Sequence, residues 1–358
     1  MDRFSFFIGI DLHKHFIQVC GINQEGFVVE EMRLPTIKEA IKERLKKYSH
    51  KAKTCLEATF CWWWLVDTLS EINLNPVLAN SKKLKLITSS NLKNDKIDAK
   101  KLAHLLRLNF LPASYITPLP LRELKELLRY RRLLIKYRTS LKDRIHSLLD
   151  KLNIKHRFSD LFFSCGLLFL KNLSLQLVYK FSLNQLLKNI EEINHHIKEI
   201  ERKLNTSFLP LFKEKITLLR TIPGIDKLAS LTIVAEIGDI YRFPNHKKLA
   251  FYSGLVSRIY ETSDKTYYGK IKKEANIYLR NVLLEAIPHL IKKDPDIYSY
   301  YQRILVKKGK NKARIATARK LITKIFYMLK ENKTYFELKN NKVEPSNVGG
   351  RSYFYVVN

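Results

Sequence analysis

Acidic residues are scarce in this sequence. Its 358 residues include 34 Asp and Glu against 65 Lys and Arg, which leaves a formal net charge of +31. A deficit of acids on this scale predicts a polyanionic partner such as nucleic acid.

Long apolar runs and paired cysteines are also missing. The longest strongly apolar run, "LFFSCGLLFL" at 161–170, is well short of the ~20 residues that span a bilayer. The N-terminus lacks a secretory cleavage site, so a cytoplasmic protein without membrane contact is expected. No CxxC or zinc-type His spacing occurs, and no GxxxxGK[ST] loop for a nucleoside triphosphate. Disulfides, zinc and ATP are therefore not expected.

The N-terminal third alternates strand and helix patterns. Three short strands at 4–11, 15–22 and 27–34 precede a helix near 36–48. There follow a strand at 54–57, a helix near 61–72, a strand at 76–79 and a helix opening around Asp95. The order βββαβαβα predicts an RNase H-like α/β domain.

The middle of the chain reads as helical after the prolines of 111–120. One heptad series comprises Leu127, Leu134, Leu141 and Leu148, and a cleaner one comprises Leu183, Ile190, Ile197 and Leu204. These helices predict a coiled-coil hairpin, although Arg131 and Arg138 interrupt the first core. Packing within one chain and oligomerisation both remain open.

The predicted class is therefore α/β plus α. A RuvC-like domain at 1–112 precedes a coiled-coil region at 119–210 and a mostly helical C-terminal domain at 211–332, and a tail occupies 333–358.

Four acids fall at the ends of predicted elements in the first domain. Asp11 ends the apolar run "FSFFIGID", Glu57 closes "TCLE", and Asp95 and Asp98 are three residues apart at a helix start, hence on one face. Strands one and four of an RNase H-like sheet are neighbours, so these carboxylates can converge. Such a cluster repels itself unless divalent cations neutralise it, and hard oxygen ligands suit Mg²⁺. Two Mg²⁺ roughly 3.5–4 Å apart can drive phosphodiester chemistry.

Each acid also has an ordinary structural explanation. Asp95 could be a helix N-cap with Asp98 at the third helical position, and Glu57 could cap a strand and pair with a lysine. The functional interpretation depends on the four acids together.

A second group of residues lies in the C-terminal domain. "IPGIDKLASLTIVAEIG" at 222–238 places the turn residue Gly224 before a helix, as in a helix-hairpin-helix that binds phosphate through backbone N–H groups. An ordinary tight turn fits Gly224 as well. Further along, a polar loop places Ser263 among Arg258, Lys265, Lys270, Lys272, Lys273 and Arg280. These cations could hold phosphoryl oxygens, but the loop has no local base, so composition alone describes an ordinary serine in a basic loop.

Taken together, these motifs resemble the DEDD transposases of the insertion-sequence 110 family. The resemblance extends over nearly the whole chain and rests on "IGIDLHK", "LEAT", "NDKIDAKKLA", "IPGI", "AEIGD", "LAFYSGL", the serine loop and "YLRNVLLEA". It implies that Asp11, Glu57, Asp95 and Asp98 form a Mg²⁺-binding tetrad in a RuvC-like domain. It also implies that Ser263 attacks DNA and forms a covalent 5′-phosphoserine link.

The resemblance further implies partners. A structured guide RNA from the element would bridge double-stranded donor and target DNA, and the protein would act as a homo-oligomer, a dimer or a tetramer. Two alternatives remain open on the residues. One is a RuvC-type nuclease that cuts by water attack, with Ser263 a bystander, and the other is a basic nucleic-acid binding protein without chemistry.

Overall fold

The structure is a computed structural model, and it describes residues 4–59, 61–87, 94–262, 265–271 and 275–340. These residues divide into two compact units on either side of the bond between Ile116 and Thr117. The first unit is α/β and the second is mostly helical, which confirms the predicted α/β plus α class.

The first unit is built on a six-stranded sheet. Its strands are β1 Phe6–Leu12, β2 Phe16–Asn23, β3 Val28–Pro35, β4 Ala52–Glu57, β5 Asn75–Ala79 and β6 Ala113–Ser114. Its helices are α1 Lys38–Leu45, α2 Trp63–Glu71, α3 Ser81–Ile87 and α4 Asp95–Arg107. The strands lie in the order β3-β2-β1-β4-β5-β6. As predicted, β1 and β4 are neighbours, and they run parallel.

Apolar residues alternate across this sheet and build a core on each face. Ile8, Ile10 and Leu56 are fully buried on the face that α1 and α2 cover. Phe7 and Cys55 point to the opposite face, where they pack with Leu102 of α4. The sheet is thus covered on both sides, as expected for strands with crossover helices.

The second unit begins with a long helical pair. Helix α5 Leu119–Lys151 contacts α7 Leu177–Lys203, and the short α6 Ser164–Asn172 lies between them in sequence. We call α5, α6 and α7 the arm. Four residues of the cleaner heptad series are all buried: Leu183, Ile190, Ile197 and Leu204. The two helices therefore bury their apolar faces against each other within one chain.

The two arginines of the first heptad series have polar partners on the facing helix. Arg131 donates to Glu201 Oε1 at 2.9 and 2.6 Å, and Arg138 donates to Asn194 Oδ1 at 2.8 Å. A guanidinium between packed helices is tolerated because its donors are satisfied.

The rest of the second unit is a helical body with one β-hairpin. Its helices are α8 Lys213–Arg220, α9 Lys227–Ile237, α10 His246–Tyr252, α11 Ile277–Lys293, α12 Pro295–Lys308, α13 Lys310–Glu331 and α14 Tyr335–Asn340. The hairpin is formed by β7 Ser257–Thr262 and β8 Lys265–Ile271. Tyr335 lies in the predicted tail, but it is buried and its hydroxyl donates to Asp294 at 2.5 Å. Packed structure therefore extends at least to α14.

Candidate active site

The pairing of β1 with β4 sets Asp11 beside Glu57. Ile10 pairs with Leu56 in this parallel ladder, and the next residue on each strand is an acid. Residues paired across neighbouring strands project to the same face of a sheet. Both carboxylates therefore lie at the carboxyl ends of these two central strands, on the face of the sheet that α4 covers.

Gly9 lets α4 lie against this face. A Cβ at Gly9 would be 2.0 Å from the carbonyl oxygen of Ala99 and 2.6 Å from the amide nitrogen of Ala103. Because Gly9 has no side chain, the helix backbone packs directly on β1. The start of α4, one turn before Ala99, therefore lies at the end of β1, near Asp11.

Asn94 caps α4, so the prediction that Asp95 could be the N-cap is wrong. The Asn94 side chain accepts a hydrogen bond from the amide nitrogen of Lys96 at 3.1 Å. Asp95 and Asp98 instead occupy the first turn, where the helix dipole favours negative charge. Their side chains are 48% and 47% exposed, and Asp98 lies 3.5 Å from Nζ of Lys101.

His13 joins two of these acids and was missed by the sequence analysis. Its Nε2 lies 3.0 Å from Oδ2 of Asp11 and 3.3 Å from Oδ1 of Asp95. The imidazole stacks on Phe16 at 4.5 Å, and Arg33 lies 3.5 Å over the same phenyl ring. The available signal was its spacing, since a residue two positions after Asp11 projects to the same side of an extended chain.

The local environment makes the negative charge of Asp11 costly. Burial raises the pKa of Asp11, hydrogen bonding and charge from His13 act in the opposite direction, and the charges of Asp95 and Asp98 raise it further. An added cation would relieve this repulsion.

The acids around His13 fit a divalent cation. One ligand atom each from Asp11, His13 and Asp95 lies within 4.8 Å of the other two, so a cation could take the place of the imidazole between the two acids. Strand register places Glu57 beside Asp11, at the carboxyl end of the neighbouring strand. Carboxylate oxygens are the ligands that Mg²⁺ prefers.

The predicted nucleophile lies in a stretch that is only partly described. Thr262 of β7 pairs with Lys265 of β8, while Ser263 between them, together with Lys272 and Lys273, lies outside the described residues. Arg258 belongs to β7, and Lys270 belongs to β8 with Lys265. Arg280 is in the first turn of α11, four residues after its N-cap Asn276.

Gly224 forms the turn between α8 and α9. Its φ of +87° and the 2.7 Å that would separate an added Cβ from Cβ of His289 both require glycine. The next residue but one, Asp226, caps α9 by accepting from the amide nitrogen of Ala229 at 2.7 Å. A carboxylate thus already occupies this helix N-terminus. A pocket beside the turn is lined by Pro223, Gly224, His289, Lys292, Lys293 and Phe336.

Comparison with known families and proteins identifies the chain. A transposase family model for DEDD transposases of IS110 matches residues 8–154, and a model described as "Transposase IS116/IS110/IS902 family" matches residues 216–302. This chain belongs to the IS110 family of DEDD transposases. The first match spans the sheet, Asp11, Glu57, Asp95 and Asp98, and the second spans Gly224 and the β7–β8 hairpin.

Individual relatives agree with this assignment. The transposase for insertion sequence element IS1111A of Coxiella burnetii is 25% identical over 92% of this chain and 90% of its own length. The transposase for IS1533 of Leptospira borgpetersenii is 23% identical over 78% of this chain and 84% of its own length. The pilin gene-inverting protein of Moraxella bovis is 26% identical over 41% of this chain and 45% of its own length.

The charge of this transposase is compatible with a nucleic-acid partner. The net charge of +31 fits a DNA substrate, which the family implies. Among the described residues, no helix is both long and apolar enough to cross a membrane.

Proposed function

We propose that this IS110-family transposase cleaves and rejoins DNA strands with a Mg²⁺-binding tetrad and a serine nucleophile. The observation that carries the proposal is the convergence of Asp11, Asp95 and His13 at the end of β1, beside Glu57. Asp98 on the same face of α4 completes the tetrad of Asp11, Glu57, Asp95 and Asp98.

The sheet supports an RNase H-like, RuvC-like first domain. Three antiparallel strands are followed by parallel β4 and β5, in the order β3-β2-β1-β4-β5. This arrangement puts two acid-bearing strand ends side by side and one helix start across them. An open α/β sheet commonly places its site at the carboxyl ends of its strands.

The protein residues would hold and orient the scissile phosphate. When bound, Mg²⁺ supplies Lewis-acid stabilisation of the phosphoryl oxygens and of the attacking and leaving oxygens. Arg258, Lys265, Lys270, Lys272, Lys273 and Arg280 provide the positive charge that would retain the DNA backbone near Ser263. Because Asp226 caps α9, a contact of this turn with backbone phosphate would come from the backbone at Gly224 itself and would not read sequence.

The proposed strand exchange needs no ATP, because each bond to phosphorus that breaks is replaced by another. The Oγ of Ser263 attacks phosphorus and loses its proton, a P–Oγ bond forms, and the P–O3′ bond breaks. The leaving 3′ oxygen takes a proton and becomes a free 3′-hydroxyl, while the 5′ phosphate stays on the serine. Attack by another 3′-hydroxyl reverses the step and frees the serine, so the number of phosphodiester bonds is preserved.

The name of one relative supports rejoining of DNA strands over hydrolysis. The name of the Moraxella bovis protein, a pilin gene-inverting protein, describes inversion, and inversion requires that cut strands be joined again. Double-stranded DNA of the element ends and the target is the proposed substrate, with a structured RNA as the guide. The arm is proposed as a coiled coil that contributes to a dimer or tetramer.

A supercoiled plasmid that carries the DNA flanking this gene tests the proposal. We expect Ser263→Ala to abolish covalent DNA–protein adducts and recombination, and Asp11→Asn to do the same in Mg²⁺. Ser182→Ala, an exposed serine of the arm, should leave both intact. Continued cutting by Ser263→Ala would favour a hydrolytic nuclease. DNA binding without cutting or adducts in the parent, unchanged in Asp11→Asn, would favour a binding protein without chemistry.

A further inference from the structure

A buried acid lies in the helical body, near the C-terminal end of the apolar helix α9. Glu236 of α9 is 2% exposed, and both of its carboxylate oxygens are bonded. Nε and Nη2 of Arg129 donate to Oε1 at 3.1 and 3.0 Å, and Nη2 also lies 3.1 Å from Oε2. Nδ2 of Asn276 donates to Oε2 at 2.8 Å. A buried carboxylate is retained in a core only when its acceptors are satisfied in this way.

Asn276 is the residue at which the chain returns from the β7–β8 hairpin. Its side chain caps α11 by accepting from the amide nitrogen of Leu279 at 3.0 Å. Its own amide nitrogen donates to the carbonyl oxygen of Tyr252 at 2.9 Å, and Nδ2 also donates to Oη of Tyr252 at 3.0 Å. One asparagine therefore joins the start of α11 to the end of α10.

Tyr252 is the last helical residue before the chain enters the hairpin. Its hydroxyl donates to the carbonyl oxygen of Glu236 at 3.2 Å. Arg242 lies 4.7 Å over its ring and donates to the carbonyl oxygen of Ile237 at 2.9 Å. The outgoing and the returning ends of the hairpin are thus both bonded to Glu236, one through its backbone and one through its carboxylate.

We propose that Glu236 is a positioning residue for the hairpin that carries Ser263. The inference rests on the function proposed above. A nucleophile must be held within a fraction of an ångström of its reacting position. Glu236 is the buried acid that the described residues place at the base of the hairpin, and Arg129 of α5 balances its charge. Loosening this base would displace the serine together with the hairpin cations Arg258, Lys265 and Lys270, and would leave most basic residues of the chain in place.

Two single variants test the contact from opposite sides. Glu236→Gln keeps the shape of the side chain but sets its amide group against the amide group of Asn276. Asn276→Ser can still cap α11 with its hydroxyl, but this shorter side chain cannot reach Glu236. We expect each to slow single-turnover formation of the covalent adduct about tenfold or more, since small misplacements near the chemistry cost up to ~100-fold. The Kd for the same plasmid DNA should change less than about twofold, because affinity for DNA depends mainly on the total positive charge, and most of the 65 Lys and Arg lie outside residues 257–273.

A matched control and a rescue separate positioning from general damage. Asn245→Ser makes the same substitution at the cap of α10, where the side chain accepts from Lys248, and should leave the adduct rate unchanged. The double variant Glu236→Gln with Asn276→Asp exchanges amide and carboxylate. It should recover the adduct rate to within about threefold of the parent, which general destabilisation would not allow. If Glu236→Gln does not fold, Asn276→Ser decides.

An adduct rate for Asn276→Ser within twofold of the parent would overturn the inference. So would parallel losses of adduct rate and DNA affinity, because they indicate collapse of the unit. Should the parent form no adduct that depends on Ser263, the proposed function fails by itself. Hydrogen exchange over β7 and β8 then tests the contact separately. Faster exchange in Asn276→Ser than in Asn245→Ser supports it, and equal exchange refutes it.

Discussion

Nε2 of His13 lies 3.0 Å from Oδ2 of Asp11, and the same nitrogen reaches Asp95. This imidazole bridges two acids of the proposed tetrad. His13 therefore lies between two side chains whose negative charges repel each other.

Replacing His13 should weaken the metal-free protein and increase its response to Mg²⁺. His13→Ala removes a hydrogen bond to a carboxylate, so we expect a loss of about 1–2 kcal/mol in the free energy of unfolding of the first unit. Urea unfolding with and without MgCl₂ measures both effects. His15→Ala is the control, since His15 is exposed and lies two residues away. A smaller Mg²⁺ response in His13→Ala would instead make His13 a metal ligand.

Removing the charge of Asp11 should have the opposite effect on the metal-free protein. Since burial raises the pKa of Asp11, its charge disfavours folding at neutral pH, and Asp11→Asn should stabilise the first unit in the absence of Mg²⁺. The same variant should lose the increase in Tm that MgCl₂ produces in the parent. Glu25→Gln removes an exposed acid from the same unit and should keep that increase. Retention of the increase by Asp11→Asn would exclude Asp11 as a ligand.

Gly9 should tolerate no side chain. Gly9→Ala places Cβ against backbone atoms of Ala99 and Ala103, so we expect about 1–3 kcal/mol of destabilisation and loss of adduct formation as α4 moves from β1. Gly21→Ala is the matched control on the neighbouring strand, because its Cβ would meet its closest atoms only at 3.9 Å. Equal unfolding midpoints for the two variants would contradict the close approach of α4.

Lys125 should make stability depend on pH. Burial lowers the pKa of Lys125 from its ordinary 10.5 to about 8; Glu236 opposes this shift, while Arg129 and Arg242 add to it. Between these two pH values the unfolded chain binds more protons than the folded one, so this residue makes the free energy of unfolding rise with pH. Lys125→Met should stabilise the second unit at pH 7 and flatten the rise between pH 8 and 10.5.

Urea unfolding at pH 7 and pH 9.5 measures this dependence. Lys136→Met, at an exposed position of the same helix, should leave the dependence unchanged. An equal rise in the parent and in Lys125→Met would assign it to other groups.

Much of the first unit follows from sequence patterns. Short apolar runs predict β1 and β4, and their adjacency brings Asp11 to Glu57 because register is strongly specified where a strand is buried. His13 could not be predicted in the same way, since one imidazole beside an acid has no periodic signal. The N-cap of α4 fell on Asn94 and not on Asp95, because element boundaries depend on local hydrogen bonds that a pattern does not resolve.

Glu236 could have been singled out from the sequence as an acid within an apolar run. A lone acid inside "LASLTIVAEIG" is as unusual in an apolar run as Asp11 is at the end of "FSFFIGID", and both prove to be bonded to basic or polar partners. What the sequence could not give is the partner itself, because Arg129 and Asn276 lie 107 and 40 residues away in the chain.

The polar pairs of the arm also fix the alignment of its two long helices. If α5 slid past α7 by one heptad, Arg131 and Arg138 would lose Glu201 and Asn194, and an unsatisfied guanidinium would be left between the helices. A seam of leucine and isoleucine alone would allow several alignments of nearly equal energy. These two pairs favour a single alignment of α5 against α7, so the distance between the two ends of the arm stays constant.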